Sequence, residues 1–284
     1  MLITPTLDKL HALNLSGMAR ALTDQMARAE YAALGFEERL GLLVDRETQD
    51  RDNRRLERHL KAAKLRSIAC IEDINFRHPR GLDRGQLLNL AAAHWVTAHQ
   101  NLLIVGPTRS GKTFIACALA QAALRHGHTA LYLRAPRLLG DLALARADGR
   151  LPRLLTSWAR VDVLVVDDFA LRPLLPEQTA DLLEVIEDRT QLRSTILASQ
   201  LPVTRWHDAL GEPTLADALL DRLVHTAHRI ELHGPSLRDP HDDRPLDPVD
   251  SVDPVQRRAE MVAAPTSRPR ADDRTATTPQ EAGQ

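Results

Sequence analysis

Aromatic side chains make up only 3% of this 284-residue chain, so any core it builds has to rest on Leu, Val, Ile and Ala. There are two cysteines, Cys70 and Cys117, far apart and without CxxC spacing. That excludes a disulfide framework and a cysteine zinc site, and it suits a reducing compartment. No apolar run approaches the ~20 residues a membrane span needs. The opening "MLITPTLDKLHAL" has no basic segment leading into an apolar stretch, so a secretory signal is not expected. The expectation is a cytoplasmic protein with no membrane contact. Net charge is also nearly absent, formally −1, which conceals any local patch and excludes nothing about nucleic acid. What is present is ordinary for a folded chain: 43% apolar and 26% charged residues, enough for one large domain or two smaller ones.

Composition divides the chain into three zones. Residues 1–99 are polar with helical periodicity, Leu7, Leu10 and Leu13 and then Met18, Leu22 and Met26 recurring at three or four residues. Ser16 is expected to cap the second of these helices. From Phe36 the run "FEERLGLLVDRETQDRDNRRLERHLKAAKL" predicts one long helix with Leu56, Leu60 and Ala63 along one side, and "HPRGLDR" at 78–84 then punctuates the zone. Residues 100–238 alternate helical patterns with short β-branched runs at 101–106, 129–134, 161–168, 194–200 and 228–234. Several runs are almost continuously apolar, as strands covered on both faces are. Successive βα units of this kind pack into a mostly parallel sheet. The expected fold is therefore α/β, a parallel sheet with helices on both faces, preceded by an all-α region. Residues 239–284 hold seven of the 17 prolines with few large apolar residues, a composition expected to stay disordered.

The stretch "GPTRSGKT" matches G-x-x-x-x-G-K-[ST] through Gly106, Gly111, Lys112 and Thr113, with Pro107, Thr108, Arg109 and Ser110 between. An apolar strand runs into it and an apolar helix runs out, which is the context a phosphate-binding loop requires. Its glycines let the backbone wrap phosphate oxygens, and the helix presents unpaired N–H groups at its positive end. Lys112 is expected to neutralise the β- and γ-phosphates of ATP, and Thr113 to offer its hydroxyl to Mg²⁺. A second strand, "VDVLVVDDF", ends in Asp167 and Asp168. Asp167 stands where a P-loop ATPase holds Mg²⁺, which leaves Asp168 to orient or deprotonate the attacking water. The plainer reading of each motif alone is a glycine-rich turn and an acidic strand end; together they point to a P-loop nucleotide hydrolase. Arg109 sits where the backbone can require φ > 0, at a cost of roughly 1 kcal/mol or more for a residue with a side chain.

These motifs, with "PRGLDR", "WARVDVLVVDDF" and above all "ASQLPVTRWHDALGEPTLADALLDRLVHTAHRIEL", make the chain resemble the IstB-like transposition helper ATPases, AAA+ proteins related to DnaC-type helicase loaders. The likeness covers about residues 7–238. It implies an AAA+ domain at 100–238, a DNA- or partner-binding helical region at 1–99, ATP hydrolysis stimulated by DNA, self-assembly on duplex DNA and a transposase as partner. It also implies roles for single residues. Gln200, in "ASQ", would contact the γ-phosphate or the attacking water. Arg222 would be the arginine finger that reaches a neighbouring subunit's nucleotide, and Arg238 a second sensor arginine. Read without the resemblance, Arg222 is a surface ion-pair partner of Asp221 or Asp217. The chain departs from the family at Arg109, where Gly is usual, and at Ala170, which replaces the Gly of a "DDFG" turn.

On the long helix, Arg51, Arg54, Arg55, Arg58 and Lys61 share one face. Such a stripe neutralises phosphates without reading bases; on charge alone it is equally a solvated helix face. No aromatic residues interleave with it, which disfavours single-strand binding by stacking. Three other readings stay open: a DnaC-type helicase loader, a nucleotide-binding DNA scaffold with little or no hydrolysis, and a P-loop kinase. The last is disfavoured because no acceptor-binding lid is recognisable.

Overall fold

The computed structural model describes residues 3–234. The 239–284 segment and Arg238 lie outside the described residues. The chain begins with helices α1 (Ile3–Ala12), α2 (Ser16–Ala27) and the 28-residue α3 (Phe36–Ala63), followed by the short α4 (Arg84–Ala91) and α5 (His94–Thr97). The sheet strands are β1 (Leu102–Val105), β2 (Ala130–Arg134), β3 (Val163–Phe169), β4 (Ser194–Ser199) and β5 (His228–Glu231). Between them run α6 (Lys112–Arg125), α7 (Ala135–Ala147), α8 (Leu151–Ala159), α9 (Pro176–Glu187), α10 (Trp206–Leu210) and α11 (Pro213–Val224). Every strand pairing is parallel, in the order β2-β3-β4-β1-β5.

All four residues of β1 are buried, because alternate side chains enter cores on opposite faces. Leu102 and Ile104 join one core with α3, α4 and α6; Leu103 and Val105 join the other with α7, α8, α9, α10 and α11. This double cover explains the unbroken apolar runs in the sequence. With few aromatics available, Trp206 and Phe169 are spent together, edge to face at 4.7 Å, at the carboxyl end of β3 next to its aspartates. At the opposite, amino-terminal end of the sheet, Arg189 is buried and donates to the carbonyls of Trp158, Val161, Asp162 and Ser194 and to the Thr195 hydroxyl. Among the described residues no helix is long and apolar enough to cross a membrane.

Ser16 does not cap α2. It is the first helical residue, Leu15 stands at the N-cap, and no side-chain hydroxyl closes the end. Glu47 of α3 takes that place, accepting from the Gly17 N–H at 2.8 Å and the Met18 N–H at 3.2 Å. A carboxylate at the positive end of a helix makes a stronger, charge-assisted bond than a local hydroxyl. The two helices approach so closely that a Cβ on Gly17 would fall 2.7 Å from Asp50 Oδ2 and 2.8 Å from the Glu47 Cα. Burial raises the Glu47 pKa, but bonds from Arg51, Met18 and Gly17 more than offset this and hold it below the usual carboxylate range.

Candidate nucleotide site

The phosphate loop starts where β1 ends. A Cβ on Gly106 would lie 2.6 Å from the Leu232 carbonyl oxygen, so only glycine lets the loop leave the sheet so close to the end of β5. The loop closes at Gly111, which has φ 93° and leads directly into α6. The first N–H groups of α6 have no carbonyl within their own helix to bond, which is the basis of an anion site. Lys112 is buried and donates its Nζ to the carbonyls of Gly106 at 2.8 Å and Pro107 at 2.6 Å. Burial pushes its pKa down, while Asp167 and Asp168 pull it back up.

Beside the loop, the Thr113 hydroxyl donates to Asp167 Oδ2 at 2.8 Å, joining residues 54 positions apart. The same oxygen accepts from the Tyr132 hydroxyl at 2.6 Å and faces the Arg66 guanidinium at 3.7 Å. Burial, followed by the bond to Asp167, drives the Tyr132 pKa far up, so its phenol stays a donor. Asp167 Oδ1 accepts from the backbone N–H of Asp168 at 2.9 Å. Asp168, in the left-handed region at φ 57°, points its own carboxylate at Arg134 Nε, 2.8 Å away. Gln200 Oε1 accepts from the Thr108 hydroxyl at 2.7 Å, tying the segment after β4 to the loop. The order β3-β4-β1 makes these three strand ends neighbours, so residues distant in sequence converge at their carboxyl edge.

Glycine-favouring backbone occurs at both positions where the resemblance leads one to expect glycine. Arg109 has φ 66° and Ala170 φ 54°. Arg109 is exposed and Ala170 buried. Ser110 is buried within the loop; its hydroxyl finds no partner, and its carbonyl accepts from Arg80 at 3.2 Å.

The residues present fit a magnesium ion. Thr113 spends its one proton on Asp167, so its lone pairs are free for a cation beside that carboxylate. Among the described residues no cluster of three or more His, Cys, Asp or Glu side chains could hold a metal unaided. One hydroxyl and one carboxylate suit an ion that keeps its waters and binds substrate phosphates.

Arg222 is not part of this gathering. Asn101, immediately before β1, donates to the Arg222 carbonyl at 3.1 Å, so Arg222 lies at the amino-terminal end of the sheet, away from the chain's own loop. Neither Asp221 nor Asp217 is its partner. Its guanidinium donates to the Ala218 carbonyl at 2.7 Å and to Glu187 at 2.6 Å, because α9 and α11 pack side by side.

The basic face of α3 is exposed at Arg51, Arg54, Arg55, Arg58 and Lys61, while Leu56 and Ala63 are buried behind it. The face is not uniform. Arg51 reaches Glu47 at 2.7 Å and Arg54 the same carboxylate at 3.5 Å. Arg55, Arg58 and Lys61 have no partner among the described residues.

A family model described as IstB-like ATP binding protein matches residues 8–244. The chain belongs to that family. An insertion sequence ATP-binding protein of Sinorhizobium fredii is 50% identical over 238 residues, covering 84% of this chain and 97% of that one. The IS1162 ATP-binding protein of Pseudomonas fluorescens is 51% identical over 203 residues, covering 71% and 88%. The solved DnaC helicase loader aligns with a TM-score of 0.47 at 19% identity, over 61% of this chain and 99% of that chain. Sequence reading did not single out four residues that the fold brings to the candidate site. Arg66 was visible only as the last of the basic residues in the run 51–66 that begins on α3, and Arg80 lies within "PRGLDR". Tyr132 and Arg134 carry no local signal, since only the pairing of β2 with β3 brings them to the aspartates.

Proposed function

We propose that this protein binds ATP with Mg²⁺ at residues 106–113, hydrolyses it, assembles with further copies on duplex DNA and regulates the transposase of its own element. The observation that supports this best is the Thr113–Asp167 bond at 2.8 Å beside Lys112, from the start of α6 and the end of β3, which meet only in the fold. Lys112 would exchange its two loop carbonyls for phosphate oxygens, and the loop and α6 N–H groups would bind the rest of the polyphosphate. Bound Mg²⁺ supplies charge neutralisation of the β- and γ-phosphates. Tyr132 holds Asp167 in orientation. Asp168 orients or deprotonates the attacking water once Arg134 releases it, and Gln200 senses the γ-phosphate through its link to Thr108. Arg222, remote from its own loop, would serve a neighbouring subunit's nucleotide and stabilise the charge that develops in transfer. Arg238 is assigned to the second sensor role by resemblance alone.

Residues 1–99 are assigned to DNA and partner binding, and 100–238 to the ATPase. Arg55, Arg58 and Lys61 are the free cations of that surface, with Arg51 and Arg54 engaged to Glu47 until DNA competes for them. The insertion-sequence names of the relatives support a transposase partner over a helicase, and a cytoplasmic location fits work on DNA. The Arg134–Asp168 pair favours a second reading, a nucleotide-bound scaffold without turnover, because a carboxylate tied to a guanidinium is a poor base. Phosphate release with and without duplex DNA separates the two. DNA-stimulated release supports the ATPase, and nucleotide binding with no release supports the scaffold. Alongside it, Arg55→Glu with Arg58→Glu should reduce the salt slope of duplex affinity by about 0.9 for each DNA phosphate that is no longer neutralised. An unchanged slope removes α3 from the interface.

A further inference from the structure

Arg80 is a buried guanidinium with no counter-ion. It belongs to the segment between α3 and α4 and is 3% exposed. Its Nη1 donates to the Ser110 carbonyl at 3.2 Å and its Nη2 to the Asn75 carbonyl at 3.2 Å, while its Nε donates to nothing. Among the described residues no carboxylate lies within 4.0 Å of it. Burial pushes its pKa below the ordinary arginine value, and no nearby charge pulls it back.

A buried, unpaired charge is among the costliest features a fold can carry. The contrast with Arg189 is informative. Arg189 is equally buried, but four carbonyls and a hydroxyl enclose it at the end of the sheet remote from the phosphate loop, a closed structural cage. Arg80 is bonded to the loop itself and its set of acceptors is incomplete. It is also held in place. The His233 N–H donates to the Arg80 carbonyl at 2.8 Å, and a Cβ on Gly234 would fall 2.6 Å from the Pro79 carbonyl oxygen. The arginine segment, the end of β5 and the start of the phosphate loop therefore form one packed unit.

We propose that Arg80 is a further nucleotide-positioning residue, whose missing counter-charge is the polyphosphate of ATP and which sets the loop through the Ser110 carbonyl. This rests on the reading of residues 106–113 as the nucleotide site. Because a buried cation is little screened by salt, its effect grows with the number of phosphate charges beside it. The loss on neutralisation should rank ATP above ADP above AMP.

The test is equilibrium titration of the full chain with fluorescent ATP, ADP and AMP, comparing wild type, Arg80→Gln and Arg80→Lys. Arg80→Gln should weaken ATP at least tenfold, ADP less and AMP about twofold at most. Arg80→Lys, which keeps the charge but not the planar fork, should recover most of the ATP affinity. If Arg80→Gln does not fold, Arg80→Met keeps the aliphatic packing and carries the same comparison. Equal losses for all three nucleotides, or no recovery by lysine, would reduce Arg80 to loop packing and overturn the proposal. Undiminished ATP binding by the neutral variant overturns it too. A wild-type chain that binds none of the three would instead overturn the reading of the loop, and this inference with it.

Discussion

Replacing Arg109 by glycine tests how much a side chain costs at this left-handed position of the loop. Arg109 is exposed, has no partner among the described residues, and holds φ 66°. Left-handed backbone costs a residue with a side chain roughly 1–2 kcal/mol, which glycine would recover. Glycine in turn loses about 0.5–1 kcal/mol more conformational entropy on folding. The net gain is about 0–1.5 kcal/mol, and at about 2–4 °C per kcal/mol for a domain of this size the melting point should rise by no more than about 6 °C. Nucleotide affinity should move still less, since strain present in both free and bound states cancels. Even if binding relieved all of it, about 2 kcal/mol corresponds to roughly 30-fold. Thermal melting of Arg109→Gly, paired with titration of an ATP analogue, measures both quantities. A gain of several hundredfold in affinity would require about 3.5 kcal/mol, more than this backbone stores, and would refute the reasoning. Ala170→Gly is the internal control. It relieves the same strain at φ 54° but removes a buried methyl worth about 0.8 kcal/mol, so the net change is about −0.8 to +0.7 kcal/mol and its melting point should move by no more than about 3 °C in either direction.

Two further predictions concern packing and assembly. Gly17→Ala forces a Cβ into the α2–α3 contact, where backbone as well as side-chain atoms stand within 3 Å. It should destabilise by about 1–3 kcal/mol, read as a lower denaturant midpoint with unchanged slope; an unaltered midpoint would show that the helices can separate freely. Arg222→Ala should lose turnover alone but regain part of it when mixed with Lys112→Ala chains, which carry intact arginines and dead loops. Mixtures no more active than their components would remove Arg222 from any role between subunits.

The strands and the nucleotide loop were legible because their signals are local. Three or four consecutive buried apolar residues mark each central strand, and Gly106, Gly111, Lys112 and Thr113 form a single spaced pattern. Asp167 was legible through its place at a strand end. The residues that orient these groups were not, because they depend on which elements become neighbours. Arg134 lies opposite Asp167 in the β2–β3 register, and Tyr132, two residues earlier, points to the same face. Nothing local to either residue gives that pairing. Glu47 displaced Ser16 as the partner of α2, and Glu187 displaced Asp217 and Asp221 as the partner of Arg222, for the same reason. In each case a carboxylate brought close by packing prevailed over a group close in sequence. The basic stripe on α3 was visible as a pattern, but its division into paired and free cations depends on where Glu47 lies.

Calorimetric titration of an ATP analogue with Mg²⁺ into the wild-type chain and into Lys112→Ala bears most directly on the nucleotide site. Saturable binding at one nucleotide per chain is expected, weakened at least a hundredfold when the lysine is removed. No detectable heat from folded wild-type protein at millimolar nucleotide, or equal affinity in the variant, would contradict a triphosphate site at residues 106–113.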